Sequence, residues 1–426
     1  MILITDHEAK PNDYKESFSL WLDCFRWIAA LLVVFTHVNN RLLVKVLSLP
    51  HDQRTAAHYA FAILSGFGHQ AVVAFFVLSG MLVGGGSLAS FRRTGKINIR
   101  GYLLKRLTRL WLVLIPSFAA TLALDTVGIS LFPGSGASPY NPAPEHGVSS
   151  LICNAFFLQT ALCNQYGTNG ALWSLFHEFW YYIAWLLVLV GCMLTASVTR
   201  RLAFFLFPLA ILVALSTFQF VGPNVAAYSI IWLLGVLASA RQRPLLPIGV
   251  LPMAIVVVCY LLLVRVLIPT DWADATFGVW FVCDTVLAIL LANLILCMKG
   301  AKSELIRPPG GEIHRYLAGF AFSLYCTHSP VLNFYVALMM FEYGIGWQMV
   351  PHHAHQWLVV LGGMITAVAF GYVFSLVTES RTDRLRQSVD NALQQALFAV
   401  RGLYCAAARG SLGADRRKEK GKTAAW

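Results

Sequence analysis

The sequence predicts an all-α polytopic membrane protein, a bundle of about ten transmembrane helices with both termini cytoplasmic. Three observations carry that prediction. Of 426 residues, 58% are hydrophobic and only 12% are Asp, Glu, Lys or Arg, whereas soluble domains carry about 25% charged residues. Mean hydropathy is +0.65. Apolar runs of membrane-crossing length recur along the chain, punctuated by glycine, proline and charge.

Residues 1–19 read as a cytoplasmic segment carrying Asp6, Glu8, Lys10, Asp13, Lys15 and Glu16. No small-residue cleavage site follows the first apolar run, so no cleaved signal is expected. Residues 20–380 read as one membrane domain, with spans near 20–39, 70–89, 103–127, 172–194, 202–221, 225–240, 247–268, 277–298, 316–340 and 357–378. All but the sixth are near or above the length that crosses an apolar core about 30 Å thick. A long outer loop, 129–170, contains no Lys or Arg between Ile129 and Gly170. Residues 381–426 form a basic cytoplasmic tail. Arg384, Leu385 and Leu393 suit an amphipathic interfacial helix there, and Asp415 to Lys422 reads as disordered.

Loop charge sets the orientation. Arg92, Arg93, Lys96, Arg100, Lys105, Arg106 and Arg109 cluster after the second span; Arg200 and Arg201 follow the fourth, Arg241 and Arg243 the sixth, and Lys299, Lys302, Arg307 and Arg315 the eighth. These alternate with non-basic loops, as expected when basic loops face the cytoplasm. Arg41, Lys45 and Arg54, in the first outer loop, oppose the pattern and are outnumbered by the second loop. The net charge of +12 therefore reports topology, and nucleic acid is not an expected partner. The nine cysteines show no metal-ligand spacing. Cys153 and Cys163 share the outer loop and read either as a disulfide or as two packed thiols.

The first span contains Arg26 and His37. Ionisable groups within a span mark function by default. Eleven helical residues turn through about 1100°, so both side chains share a face, roughly 16 Å apart along the axis. Ala29, Ala30 and Val33 on that face leave room for a groove or for a close neighbouring helix. His37 has proton-transfer chemistry near neutral pH, or is a buried, hydrogen-bonded ring. Glu178 opens the fourth span at a similar depth, suited either to orienting a histidine or to an ion pair with arginine. Trp173, Trp180, Tyr181 and Tyr182 read mainly as an interfacial belt, with a sugar-stacking wall as the alternative. Arg106 and Arg109, at i and i+3, suit a phosphate or anionic lipid. His328 lies mid-span beside Pro330, whose disturbance of the backbone often accompanies a site. Ser79 is a weak nucleophile candidate without a Gly-x-Ser-x-Gly elbow.

These segments, in this order, resemble the acyltransferase type 3 family of integral membrane proteins that acylate surface glycans and lipids. Arg26 to His37 resembles its arginine–ten residues–histidine motif. Phe75 to Gly80 resembles its Phe-Phe-x-Leu-Ser-Gly segment, and Arg106-Leu107-Thr108-Arg109 its Arg-x-x-Arg motif. Leu172 to Tyr182 resembles its Leu-Trp-Ser-Leu-x-x-Glu-x-x-x-Tyr segment, and Ser323 to Pro330 its late Ser-x-x-x-x-x-His-x-Pro region. His177, beside Glu178, departs from the family's usual small or apolar residue, leaving open which histidine pairs with Glu178. No appended soluble esterase-like domain is read.

The resemblance implies a membrane O-acyltransferase that moves an acyl group, acetyl by expectation, from cytoplasmic acyl-CoA to a hydroxyl of an exopolysaccharide, O-antigen or lipid-linked glycan. His37 and Glu178 are then the catalytic pair, His37 acting as base or transient acyl carrier. Arg26, Arg106 and Arg109 bind the acyl-CoA co-substrate, and Trp173, Ser174 and His328 bind the acceptor. No resident cofactor or metal is expected. The expected setting is the plasma membrane, an inner membrane in a Gram-negative source, among lipids and glycan-assembly proteins. The alternative is a polytopic transporter, flippase or polymerase for a glycan or small polar substrate, although no inverted repeat or paired broken helices are visible.

Overall fold

The computed structural model describes residues 11–132, 140, 143–194, 197–267, 277–301 and 305–395, leaving out the side chains of residues 11–14. Among them the chain is almost entirely helical, with two isolated β-bridges, Leu43–Met349 and Gln159–Cys163. Eight helical segments are long and apolar enough to cross a membrane.

Helix α1 spans Pro11–Leu42, α2 Ala56–Leu64 and α3 Gly68–Ser79. A π-helical turn, Gly80–Gly85, runs α3 into α4, Gly86–Thr94, so the expected second span belongs to one longer helical stretch. Gly95, at φ 64°, ends it. Asn98 caps α5, Ile99–Leu131, by accepting from the Gly101 amide at 2.9 Å. The long loop holds α6, Val148–Ala155. Then come α7, Trp173–Leu194; α8, Val198–Phe218; α9, Val225–Ala240; α10, Val250–Leu267; α11, Phe277–Ala301; the short α12, Ile313–Ala318; α13, Ala321–Tyr343; and α14, Ala354–Val377.

Eight of the ten expected spans therefore meet the length and apolarity of a crossing. The other two are α9, apolar but only 16 residues long, and α13, 23 residues long but rich in polar groups. In α13 the reason is position: Ser323, Thr327, His328, Ser329 and Asn333 are all buried, facing protein rather than lipid. Helices α1, α5 and α14 surround it. By contrast α8 and α10 expose most of their apolar surface, including Phe207, Leu251 and Val266, as lipid-facing helices do.

The basic segments converge on one end of the bundle. Lys299 Nζ donates to the carbonyls of Ser239 and Arg241, both at 2.9 Å, joining the ends of α9 and α11. Arg92 and Arg93 lie beside Ser239 and Ala240. Arg100 binds Asp390 at 2.6 Å on a helix over 382–395. Leu385 and Leu393 of that helix line an apolar groove with α5. The stretch Asp415 to Lys422 lies outside the described residues. The opposite end carries the loop 143–172, which turns back along α5 and α7. Trp111 Nε1 donates to Ala155 O at 2.8 Å, and Trp180 Nε1 to Phe157 O at 3.0 Å. Cys153 and Cys163 form a disulfide within this loop, with Cα atoms 6.5 Å apart.

Two close approaches set the geometry around the site. A Cβ on Gly80 would collide with the Trp232 carbonyl, and one on Gly235 with the Val77 carbonyl, so these glycines let α9 touch both α3 and the π-helical turn after it backbone to backbone. Pro330 has no amide hydrogen, which frees the Cys326 carbonyl four residues earlier. Asn169 Nδ2 takes it at 2.7 Å, tying the loop to α13.

Candidate active site

A cavity at the basic side of the bundle brings together residues far apart in sequence. Arg26 of α1, Ser79 of α3, Arg106 and Arg109 of α5, Ser174, Glu178 and Tyr182 of α7, and Tyr325 of α13 line it. The spacing expectation for Arg106 and Arg109 holds, because i and i+3 place both on the cavity face of α5. Arg26 is held at 3.2 Å by Asp23, one turn earlier. The Arg106 guanidinium lies over the rings of Tyr102 and Tyr182, 5.8 and 5.9 Å from their centroids. Its buried Nε has no hydrogen-bond partner. Among the described residues neither Arg106 nor Arg109 is in an ion pair.

Glu178 sits across this cavity. Its Oε1 accepts from the Tyr182 hydroxyl and from Ser79 Oγ at 3.3 Å. Ser79 also accepts from Trp232 Nε1 at 3.2 Å, a contact that depends on the Gly80–Gly235 approach. Ser79 therefore works as a hydrogen-bond junction in this arrangement.

His37 is in a second place. Arg41 Nη1 meets its Nδ1 at 2.8 Å, one helical turn away. The rings of His37 and His328 are tilted at 60° with centroids 4.9 Å apart. Arg41 also donates through Nε to Asn333 Oδ1 at 2.5 Å and through Nη2 to Ser329 Oγ at 2.8 Å. Ser329 Oγ and Asn333 Nδ2 in turn donate to the Thr168 carbonyl, at 2.9 and 3.3 Å. The amide and hydroxyl of Thr168 bind the buried Asp125 carboxylate at 2.9 and 2.6 Å, and His146 Nε2 meets the same carboxylate at 2.8 Å. Gly167, at φ 56°, allows the approach, since a Cβ there would lie 2.5 Å from Asp125 Oδ2. The loop is thereby linked, bond by bond, to His37.

The expected His37–Glu178 pair is thus corrected. Among the described residues the hydrogen-bond partners of Glu178 are Tyr182 and Ser79, and that of His37 is Arg41. The physical reason is that Arg41 and the α13 side chains fill the space around the imidazole. His177 does not take up the role either: its Nε2 meets the Pro223 carbonyl at 2.7 Å, and Phe76, Trp173, Phe176 and Tyr181 pack around it. Ala29, Ala30 and Val33 are buried against neighbouring helices. The face between Arg26 and His37 is therefore packed, and the open space lies beside it.

Tyr325 joins the two places. Its ring lines the cavity, its hydroxyl meets Ser174 Oγ at 2.6 Å, and its centroid is 5.8 Å from that of His328. Of the residues expected to bind the acceptor, Ser174 lines the cavity, His328 pairs with His37, and Trp173 is in neither. The aromatic belt is corrected too. Tyr181 and Tyr182 are buried, with Tyr181 OH donating to Val225 O at 3.0 Å, because α7 is an interior helix at this level.

Sequence reasoning missed Arg41, which it placed in the first loop, as well as Asp125, His146 and Tyr325. The spacing of Arg41 four residues after His37 was the available signal. A further buried acid, Asp284, pairs His69 Nε2 at 2.6 Å and the Tyr228 hydroxyl; none of the three lines the cavity. Among the described residues no cluster of three His, Cys, Asp or Glu side chains is arranged to hold a metal ion.

A family model described as an acyltransferase domain matches residues 19–376. No curated protein and no solved structure matches the chain.

Proposed function

The chain belongs to the acyltransferase type 3 family, and from that premise we propose that it moves an acetyl group from cytoplasmic acetyl-CoA to a hydroxyl of a surface glycan or lipid-linked sugar. The observation that carries the proposal is the cavity shared by Arg26, Arg106, Arg109 and Glu178, with Tyr325 leading to His37 and His328.

The donor side follows from charge. Planar guanidiniums bind phosphate oxygens in pairs, and the buried, unpartnered Nε of Arg106 is a donor that an anion would satisfy. The basic end of the bundle faces the cytoplasm by the positive-inside rule. The disulfide in the loop that enters from the other end agrees with an oxidising compartment there. Acyl-CoA then lays its phosphates against Arg106 and Arg109, and its thioester reaches past Tyr325 to the histidines. Glu178 and Tyr182 order the cavity wall. The acceptor hydroxyl comes from the loop side, past Asn333 and Thr168. Positioning donor and acceptor together supplies much of the rate, and proton transfer at the histidines supplies the rest.

The test is acyl transfer in membranes. Radiolabelled acetyl-CoA is supplied, surface glycans are extracted, and wild type is compared with His37→Ala at matched protein level. Label that depends on His37 is expected. No label from acetyl-CoA or from longer acyl-CoAs would return the chain to the transport or polymerisation reading.

A further inference from the structure

The two rings at the centre of the site carry opposite hydrogen-bonding instructions. Arginine has donors and no acceptor. Arg41 Nη1, 2.8 Å from His37 Nδ1, therefore donates to it. Nδ1 of His37 is the bare nitrogen, and in the neutral ring the proton sits on Nε2. A backbone carbonyl has the reverse property, since it only accepts. His328 Nδ1, 3.1 Å from the Leu324 carbonyl, therefore carries the proton and donates it. Nε2 of His328 is left bare. That atom is buried and has no hydrogen-bond partner, in a residue with no exposed surface.

Resting on the acyltransferase reading, we infer that His328 Nε2 is the general base of the transfer and that His37 Nε2–H holds the acyl carbonyl oxygen. For His37 to be the base through Nε2, its Nδ1 would have to bear a proton. That proton would face the N–H of Arg41, donor against donor, in a site where Arg41 has no slack: its other nitrogens are engaged by Asn333 and Ser329. The histidine of a hydrolytic triad is held the opposite way, by a carboxylate that accepts from Nδ1. Arg41 takes that carboxylate's place here and inverts the ring. With centroids 4.9 Å apart and planes tilted at 60°, the donor ring and the acceptor ring are immediate neighbours.

The step then balances without another reactant. His328 Nε2 takes the proton of the acceptor hydroxyl as its oxygen attacks the thioester carbonyl carbon. The oxyanion formed there is held by His37 Nε2–H. When the carbon–sulfur bond breaks, the CoA thiolate leaves with the proton from His328. The products are the O-acyl ester and CoA thiol, and both rings return to their starting tautomers. Arg41 is a positioning residue in this scheme, acting through His37.

The experiment compares His37→Gln with His328→Gln, in membranes at matched level, reading label from radiolabelled acetyl-CoA in the extracted glycan fraction. Glutamine keeps an N–H but takes no proton. His37→Gln is expected to keep transfer within about tenfold of wild type, and His328→Gln to lose about 10³-fold or more. A fall in His37→Gln as deep as that in His328→Gln, or deeper, overturns the assignment. A wild type that transfers no label sinks the acyltransferase reading itself. The second measurement does not depend on variant activity. Histidine ¹⁵N shifts of the purified protein near pH 7.5 should contain a neutral ring protonated on Nδ1 that vanishes in His328→Gln. If the ring that vanishes is protonated on Nε2, the inference fails.

Discussion

The arginine cavity and the histidine pair are built largely from the same helices, yet they are finished differently. Helix α1 gives Arg26 to the first and His37 with Arg41 to the second; α13 gives Tyr325 to the first and His328 to the second. In the cavity, charge is left incomplete: Arg106 keeps a buried unpartnered donor beside Arg109. Around the histidines, every nitrogen of Arg41 is matched, and the network runs on through Thr168 to Asp125. The open donor of Arg106 is one that an anion would satisfy, whereas the matched Arg41 fixes the His37 ring and leaves His328 Nε2 buried and bare beside it. On the proposed reading, the first place binds the donor and the second carries the chemistry.

Next to the loss expected of His328→Gln, the largest effect also breaks the second place. His37→Ala removes the ring that Arg41 holds, and transfer should fall by about 10²- to 10³-fold with little change in the KM for acyl-CoA. An altered KM at unchanged kcat would move His37 to the binding side. Arg41→Met comes next, because a catalytic ring displaced by about 1 Å costs on the order of 10²-fold; Arg41→Lys, which keeps a donor, should recover part of that. Arg106→Ala sharpens the contrast from the other side. Losing a charge-assisted contact worth about 1.5–3 kcal/mol should raise the KM for acyl-CoA by about 10- to 100-fold, and binding should weaken with added salt.

Asp125→Asn is expected to be milder, about tenfold in kcat, since it acts through Thr168. Combined with Ser329→Ala it should be less than additive, because both changes loosen the same link to Arg41. Additive effects in that cycle would separate the loop from the histidines. Trp173→Phe is the smallest. It lines neither place, and activity within about twofold of wild type is expected.

How much of this was legible in the sequence differs between the two places. The cavity was largely readable: Arg106 and Arg109 announced themselves by helical spacing, and Glu178 by being a carboxylate in an apolar run. The membrane class was readable for the same reason, since composition and apolar run length reflect the solvent around each helix. The histidine pair was only half readable. His37 and His328 were each visible as ionisable groups within spans, but 291 residues separate them in the chain. Arg41 looked like a loop charge because α1 runs on to Leu42, farther than the apolar run suggests.

By itself, then, the sequence determined the solvent, the helices and the list of residues able to move a proton or hold an anion. Those properties belong to single residues and short periods. Only the tertiary structure decided the partners: Glu178 with Ser79 and Tyr182, His177 with a carbonyl, His37 with Arg41 and His328, and the loop with Asp125. Partnership depends on which helix faces reach hydrogen-bonding distance once Gly80 and Gly235 have let α3 and α9 close up and Pro330 has freed the Cys326 carbonyl for Asn169. A difference of about 1 Å in such packing decides which ring nitrogen carries a proton, and no local pattern in the chain encodes it.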